Sequence, residues 1–168
     1  MTLRRNLTVL NPELLAYATS LSENAEEAKD LVQESAVRAL QATAAPKGIS
    51  DLRPWMFRVI KNLFLDLKRK QRVRREFSDA QQRLSNADRV QVGDAVETLM
   101  VRQAFASLSR RDREVLCLVD VLGLRYAEAA WVIGAPAGTV MSRLSRARRA
   151  MVERMGESNV RPMRKRGK

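Results

Sequence analysis

The chain contains no histidine and a single cysteine, Cys117, among its 168 residues. Without an imidazole, the Ser-His and Cys-His nucleophile pairs and His-based general acid–base catalysis are excluded, and one thiol cannot supply a zinc site. An internal disulfide framework is excluded as well. Cys117 lies in an apolar helical stretch and reads as a small core residue rather than a reactive thiol. The seven glycines are scattered, and none falls at the spacing of a Walker phosphate loop or a dinucleotide-binding turn. No apolar run approaches the roughly 18–20 residues that span a bilayer, and the N-terminus lacks the apolar core of a signal peptide. The expectation is therefore a protein without catalytic activity, metal or cofactor, not inserted in a membrane and located in the cytoplasm. Acidic residues are also in short supply, 19 against 31 basic, for a net charge of +12. Such an excess points to a polyanionic partner, either nucleic acid or an anionic membrane surface.

What is present is helical periodicity, strongest over residues 108–155. Ser109 can cap a helix, with Asp112 three residues on. Val115, Val119 and Leu122 follow at spacings of four and three, which marks a buried face, and Gly123 ends the run. Tyr126–Ile133 reads as a short second helix, broken by Gly134-Ala135-Pro136 before a long third one. Short helix, tight turn and longer helix make a helix-turn-helix pattern. On the third helix Val140, Leu144, Ala147 and Met151 share one stripe facing the core. Thr139, Ser142, Ser145, Arg146 and Arg149 lie opposite, with Arg143 and Arg148 on the flanks. Residues 137–155 hold five Arg and one Glu, a local balance of +4. Guanidinium forks suit phosphates and guanine edges, and the small residues Gly138, Thr139 and Ser142 allow close backbone approach to a phosphate at the helix start. This helix is expected to read DNA.

The first half is helical too. Met1–Leu10 reads as a short frayed basic lead, Asn11 as a cap and Pro12 as the first turn of a helix whose apolar face is Leu14, Leu15, Ala18 and Leu21. Asn24 can cap the next helix with Glu27 at the capping-box position. Its inward set is Ala28, Leu31, Val32, Ser35, Ala36, Ala39 and Leu40, and its outward set Lys29, Asp30, Gln33, Glu34, Val37, Arg38 and Gln41. Residues 42–51 form a loop in which Ser50 or Asp51 caps the following helix. Leu52, Trp55, Met56, Val59, Ile60, Leu63, Phe64 and Leu67 then recur at helical spacing, with Trp55 assigned to core packing. From Lys61 to Arg75 there are seven basic residues and one Asp, so this helix starts as core and ends as a cationic arm. Residues 76–97, with five acidic and two basic residues, read as an acidic linker with some helix around 79–84. A second domain starts near Glu97 with Leu99, Met100 and Phe105 in its core. The tail 156–168 is basic and expected to be disordered.

The matching positions Arg113-Glu114-Val115-Leu116, Gly123-Leu124, Tyr126, Glu128, Ala130, Gly134, Pro136, Gly138-Thr139-Val140, Ser142-Arg143-Leu144 and Arg146-Ala147-Arg148 resemble the promoter-reading C-terminal domain of extracytoplasmic-function (ECF) sigma factors of bacterial RNA polymerase. Met141 departs from the family, which often has Lys or Arg there. The run AKDLVQESAVRAL resembles the sigma helix that grips the coiled coil of the polymerase β′ clamp, which implies that Asp30, Gln33, Glu34 and Arg38 face the enzyme. DLRPWMFRVIKNLFLDLKRKQR resembles the segment that opens the promoter and captures the −10 element. That likeness carries a base-contacting role to Asn62 and the pocket for a flipped base to the loop with Lys47, Gly48 and Ser50. Lys61, Lys68, Arg69 and Arg72 would hold phosphates, while Gly138, Thr139, Ser142, Arg143, Arg146 and Arg149 would meet the −35 element.

The resemblance implies an all-α protein of two small helical domains. Region 2 covers 8–75, a flexible acidic linker 76–96, region 4 with its helix-turn-helix 97–155, and a basic tail 156–168. It implies core RNA polymerase (β′ clamp and β flap) and promoter DNA as partners, with an anti-sigma protein as inhibitor. A stand-alone helix-turn-helix regulator is the main rival, and a small recombinase the second. Neither accounts for a helical first half with a basic arm.

Overall fold

The computed structural model describes residues 2–77 and 96–159, and the expected linker and the end of the tail lie outside them. The described residues form seven α-helices: α1 (Leu3–Leu21), α2 (Ala25–Gln41), α3 (Ile49–Phe77), α4 (Val96–Ser107), α5 (Arg110–Leu116), α6 (Tyr126–Ile133) and α7 (Ala137–Asn159). A π-helical turn, Cys117–Val121, prolongs α5.

In the first half, α1, α2 and α3 pack around Leu7, Leu10, Leu14, Leu21, Leu31, Leu52, Met56, Ile60 and Phe64. The chain departs from expectation at its start, because α1 begins at Leu3 rather than at Pro12. The apolar stripe does not stop at the proline: Leu7 and Leu10 continue it backward and are buried. Pro12 lies on the exposed face, as does Thr8, whose carbonyl the proline leaves without an amide, so water can reach it. Asn24 caps α2 as expected, accepting from the Glu27 amide at 2.8 Å. Glu27 in turn accepts from the Glu23 amide at 3.2 Å, one residue before the cap. Leu40, assigned inward, is 47% exposed, because α2 ends there beyond the reach of the other two helices. Helix α3 starts at Ile49, so Ser50 and Asp51 lie inside its first turn instead of capping it, and Leu52 donates its amide to the Gly48 carbonyl at 2.9 Å. Trp55 packs half-buried against the core, and Phe57, absent from the expected stripe, is fully buried.

In the second half, Ser109 accepts the Asp112 amide at 3.2 Å, as its spacing suggests. Val115, Leu118, Val132, Val140, Leu144 and Ala147 form the core, whereas Leu99, expected there, is 52% exposed at the start of α4. Gly123 and Gly134 take φ of +68° and +76°, the left-handed conformation that lets the chain leave one helix and enter the next. Helix α7 continues past Met155 to Asn159, where a basic tail was expected to begin. Asp120 on the π turn accepts a two-pronged bond from Arg148 of α7, at 3.0 and 2.7 Å. That exposed pair ties the long helix to its support and raises the Arg148 pKa.

The two halves are packed together, and their buried residues form one continuous cluster. Cys117 is part of it: its thiol donates to the Ala16 carbonyl of α1 at 3.7 Å, and burial pushes its pKa up to about 11. It should therefore resist alkylation at pH 8 in the native protein and react fully in denaturant, as a thiol titration would register. Gly134→Ala is expected to destabilise the fold by about 1–2 kcal/mol from the left-handed backbone alone. It costs more if Arg58 must swing aside, since an added Cβ would meet Arg58 Nη1 at 2.9 Å. A shifted urea midpoint at unchanged slope would measure the loss.

Candidate nucleic-acid and polymerase interface

Three surfaces collect the residues singled out from the sequence. On α7, Gly138, Ser142, Arg146 and Arg149 are exposed along the face opposite Val140, Leu144 and Ala147, with Thr139 and Arg143 half-exposed beside them. The Ser142 hydroxyl donates back to the Thr139 carbonyl at 3.0 Å, and Arg146 makes only a long 3.4 Å bond to the Ser142 carbonyl. Such weak local anchoring leaves the Arg146 guanidinium on the surface with little to hold it. Met141 lies 49% exposed on the same helix. Arg148, held by Asp120, is committed to structure.

On α2, Asp30, Gln33, Glu34 and Arg38 are all exposed on one flank, and Arg38 pairs with Glu34 one turn away at 3.2 Å. Val37 and Leu40 add apolar surface there, 46% and 47% exposed.

The third surface is α3 and the loop before it. Lys47, Gly48 and Ser50 are exposed, and Asn62 projects to solvent from the middle of the helix. The cations differ from one another. Arg69 and Arg72 are exposed and make only local ion pairs, with Asp66 at 3.5 Å and Glu76 at 3.6 Å. Lys68 lies between Glu23 at 3.1 Å and Glu27 at 3.2 Å, with its ammonium over the Phe64 ring. Lys61 is largely withdrawn from solvent. It is buried and donates to the Glu114 carboxylate at 2.7 Å, and the Tyr17 hydroxyl donates to the other oxygen of Glu114 at 2.9 Å. Burial, with the Glu114 charge behind it, raises the Tyr17 pKa well above the usual phenol range, so the ring stays a donor.

Arginines complete this junction, and each binds carbonyls where a helix ends. Arg58 of α3 donates to the Trp131 carbonyl at 2.6 Å and the Val132 carbonyl at 3.1 Å at the end of α6. Arg53 donates to the Leu122 carbonyl after the π turn and pairs with Glu13 at 2.5 Å. Arg113 of α5 reaches back to Ser20 near the end of α1 at 3.2 Å. The halves adhere with these cations facing the negative ends of helices rather than one another.

Several of these roles were not visible in the sequence. Asn6, in the stretch read as frayed, is buried and its amide donates to the Lys47 carbonyl at 3.3 Å, holding the loop ahead of α3. The unbroken spacing Leu3, Leu7, Leu10, Leu14 could have extended the helix back to it. In the sequence Glu114 is only one of the matching positions, and nothing in a one-dimensional pattern distinguishes Arg53 and Arg58, which dock, from an arginine that is solvated. Among the described residues, no group of three or more Cys, Asp or Glu side chains is placed to hold a metal ion, and no helix is long and apolar enough to cross a membrane.

Comparison with known proteins bears on the whole arrangement. Residues 8–74 match the family model for sigma-70 region 2, and residues 98–151 that for sigma-70 region 4. The chain is 38% identical over 148 residues to the ECF RNA polymerase sigma factor EcfG of Rhodopseudomonas palustris, covering 87% of this chain and 81% of that protein. It is 34% identical over 146 residues to the ECF sigma factor SigL of Mycobacterium tuberculosis, covering 82% and 80%. Among solved structures, the sigma factor RpoE of Bartonella quintana in complex with the anti-sigma factor NepR superposes with a TM-score of 0.78 at 30% identity, over 91% of this chain and 96% of that one. The structure of CnrH in complex with the cytosolic domain of CnrY shares the fold at 24% identity, with a TM-score of 0.62 over 93% and 88%. A stand-alone regulator would not carry region 2. The chain belongs to the extracytoplasmic-function group of RNA polymerase sigma factors.

Proposed function

We propose that this chain binds core RNA polymerase in the cytoplasm and directs it to promoters, with region 2 at 8–75 and region 4 at 97–155. It performs no chemistry of its own. The exposed flank of α2, with Asp30, Gln33, Glu34 and Arg38, docks on the β′ clamp coiled coil, and region 4 meets the β flap. The loop with Lys47, Gly48 and Ser50 takes a base flipped from the non-template strand, and Asn62 contacts bases there. Unstacking a base costs a few kcal/mol, which a fitted polar pocket can return. Arg69 and Arg72, exposed and only locally paired, neutralise phosphates together with Lys68, whereas Lys61, expected among them, is taken up by Glu114 inside the fold. Gly138, Thr139, Ser142, Arg143, Arg146 and Arg149 serve the −35 element. An anti-sigma protein is the expected inhibitor, since the relative that superposes over 91% of this chain was solved bound to one.

One observation carries this reading: the face of α7 opposite its core is lined by weakly tethered arginines and small polar residues. Transcription by purified core polymerase from a genomic-fragment library, with and without the protein, tests it. New start sites that depend on the chain are expected, and neither attachment to core nor new starts would refute it. With roughly five phosphates neutralised, log K for DNA should fall with a slope near −4.5 against log salt, read from binding isotherms at several salt concentrations. Arg146→Ala should cost roughly 1–3 kcal/mol of −35 discrimination in promoter competition. Affinity for polymerase should stay unchanged. Asn62→Ala should slow open-complex formation, followed by permanganate reactivity, far more than it weakens initial docking.

A further inference from the structure

Asn6 occupies a place where an apolar side chain would pack better. It lies on the inner side of α1, flanked at helical spacing by Leu3 and Leu10, and only 1% of it is exposed. Its amide finds one partner: Nδ2 donates to the Lys47 carbonyl at 3.3 Å, 41 positions on. Oδ1, on the same amide, is buried and accepts from no donor among the described residues. Burying an amide with part of its hydrogen bonding unmade is destabilising. Stability alone would favour leucine at this point, so the asparagine answers to the one contact it makes.

That contact falls on the loop that carries Lys47 and Gly48 into α3. The loop leaves α2 with the Ala42 amide on the Arg38 carbonyl at 3.0 Å, and enters α3 with the Gly48 carbonyl accepting from Leu52 at 2.9 Å. Between those ends, Asn6 is the one side chain among the described residues that bonds the loop backbone. Peptide geometry turns this grip into a direction. The Lys47–Gly48 bond is planar and trans, so its N–H points opposite to its carbonyl. With the carbonyl drawn toward α1, the Gly48 amide points away from that helix. It sits on an exposed residue with no side chain to screen it, and meets no acceptor among the described residues.

We propose that Asn6 is a positioning residue for base capture: it fixes the Lys47–Gly48 peptide so that the Gly48 N–H is presented to a flipped base. The ligand is an unpaired base offering a carbonyl oxygen or a ring nitrogen as acceptor. The inference rests on the reading of this loop as a base pocket, and adds to it the residue, 41 positions earlier, that sets its backbone. A donor fixed in advance binds without the entropy cost of ordering the loop. Released from Asn6, the peptide can rotate and bring the Lys47 carbonyl to the place of the N–H. An oxygen lone pair there repels the acceptor edge of a base.

Holoenzyme assembled from core RNA polymerase and the full chain tests this role by fluorescence anisotropy. The probe is a labelled single strand covering the −10 region of a start site mapped with this protein, intact or with an abasic site at each position in turn. With the wild type, removing the flipped base should weaken binding about ten-fold or more, as befits the loss of one stacked base. With Asn6→Leu, the intact strand should bind several-fold weaker while the strand lacking that base binds as before. Discrimination then falls to about two-fold or less. Helix content and attachment to core should be unchanged, and the thermal midpoint equal or higher, because the half-satisfied amide is gone and water can reach the exposed Lys47. Gly48→Pro, which deletes the N–H, should cause the same loss, and the double variant no further one. Should Asn6→Leu lose helix, Asn6→Ser, whose hydroxyl is too short to reach Lys47, takes its place with the same expected binding. Equal weakening on intact and abasic strands, or full discrimination in the variant, would overturn the role of Asn6 while leaving the base pocket standing. A wild type indifferent to every abasic site would overturn the pocket, and this role with it.

Discussion

A carboxylate cannot be taken out of water unless something replaces the water, and Glu114 finds its replacements only on the opposite half of the molecule. Its two oxygens accept from the Lys61 ammonium at 2.7 Å and the Tyr17 hydroxyl at 2.9 Å, from α3 and α1 respectively. An ionised carboxylate buried without partners would cost many kcal/mol. Breaking a buried ion pair by deleting one partner typically costs about 3–5 kcal/mol, although the intact pair need not be stabilising relative to apolar side chains. The trio is therefore better understood as a demand for one particular register between the halves than as a source of stability. Tyr17 also packs edge-on against Phe57 at 5.2 Å, so the polar contact is seated on the first half's core.

The rest of the junction solves a second electrostatic problem. A protein with a net charge of +12 has to bring two basic modules together. It does so by turning arginines onto helix C-termini, where unsatisfied carbonyls carry partial negative charge. Arg58 and Arg113 cross in opposite directions, one onto α6 and the other onto α1. Each cation spent in this way is neutralised inside the molecule rather than displayed on its surface. The exposed face of α7 takes no part in this junction, since Val140, Leu144 and Ala147 pack within its own half and Arg146 and Arg149 point away.

The local order of the chain was legible because it depends on neighbours in sequence. Apolar spacing marked the core faces of α2, α3 and α7. The Asn24 and Ser109 caps and the breaks at Gly123 and Gly134 stood out, because a cap needs one side chain and a left-handed turn favours one residue type. The exposed set on α7 followed from the same periodicity, since a face opposite a core stripe has nowhere to go but solvent. Reading Pro12 as a helix start failed for an instructive reason: proline is tolerated wherever its missing amide falls on a wet face, and only the stripe on the other side says how far the helix extends.

The amino-acid order by itself thus determined an all-α chain, its breaks, its long basic helix near the end and, through the density of matching positions, its kinship with sigma factors. These rest on interactions within a few turns of helix, which a linear pattern records. The tertiary structure alone decided that Lys61 is buried while Asn62 beside it is exposed, that Asn6 props the loop at Lys47, and that Glu114 joins the two halves. Those facts depend on partners 41 to 97 positions away, as in Asn6–Lys47 and Tyr17–Glu114. A lysine bound for a carboxylate and one bound for a phosphate look the same until the chain has brought one of them to its mate.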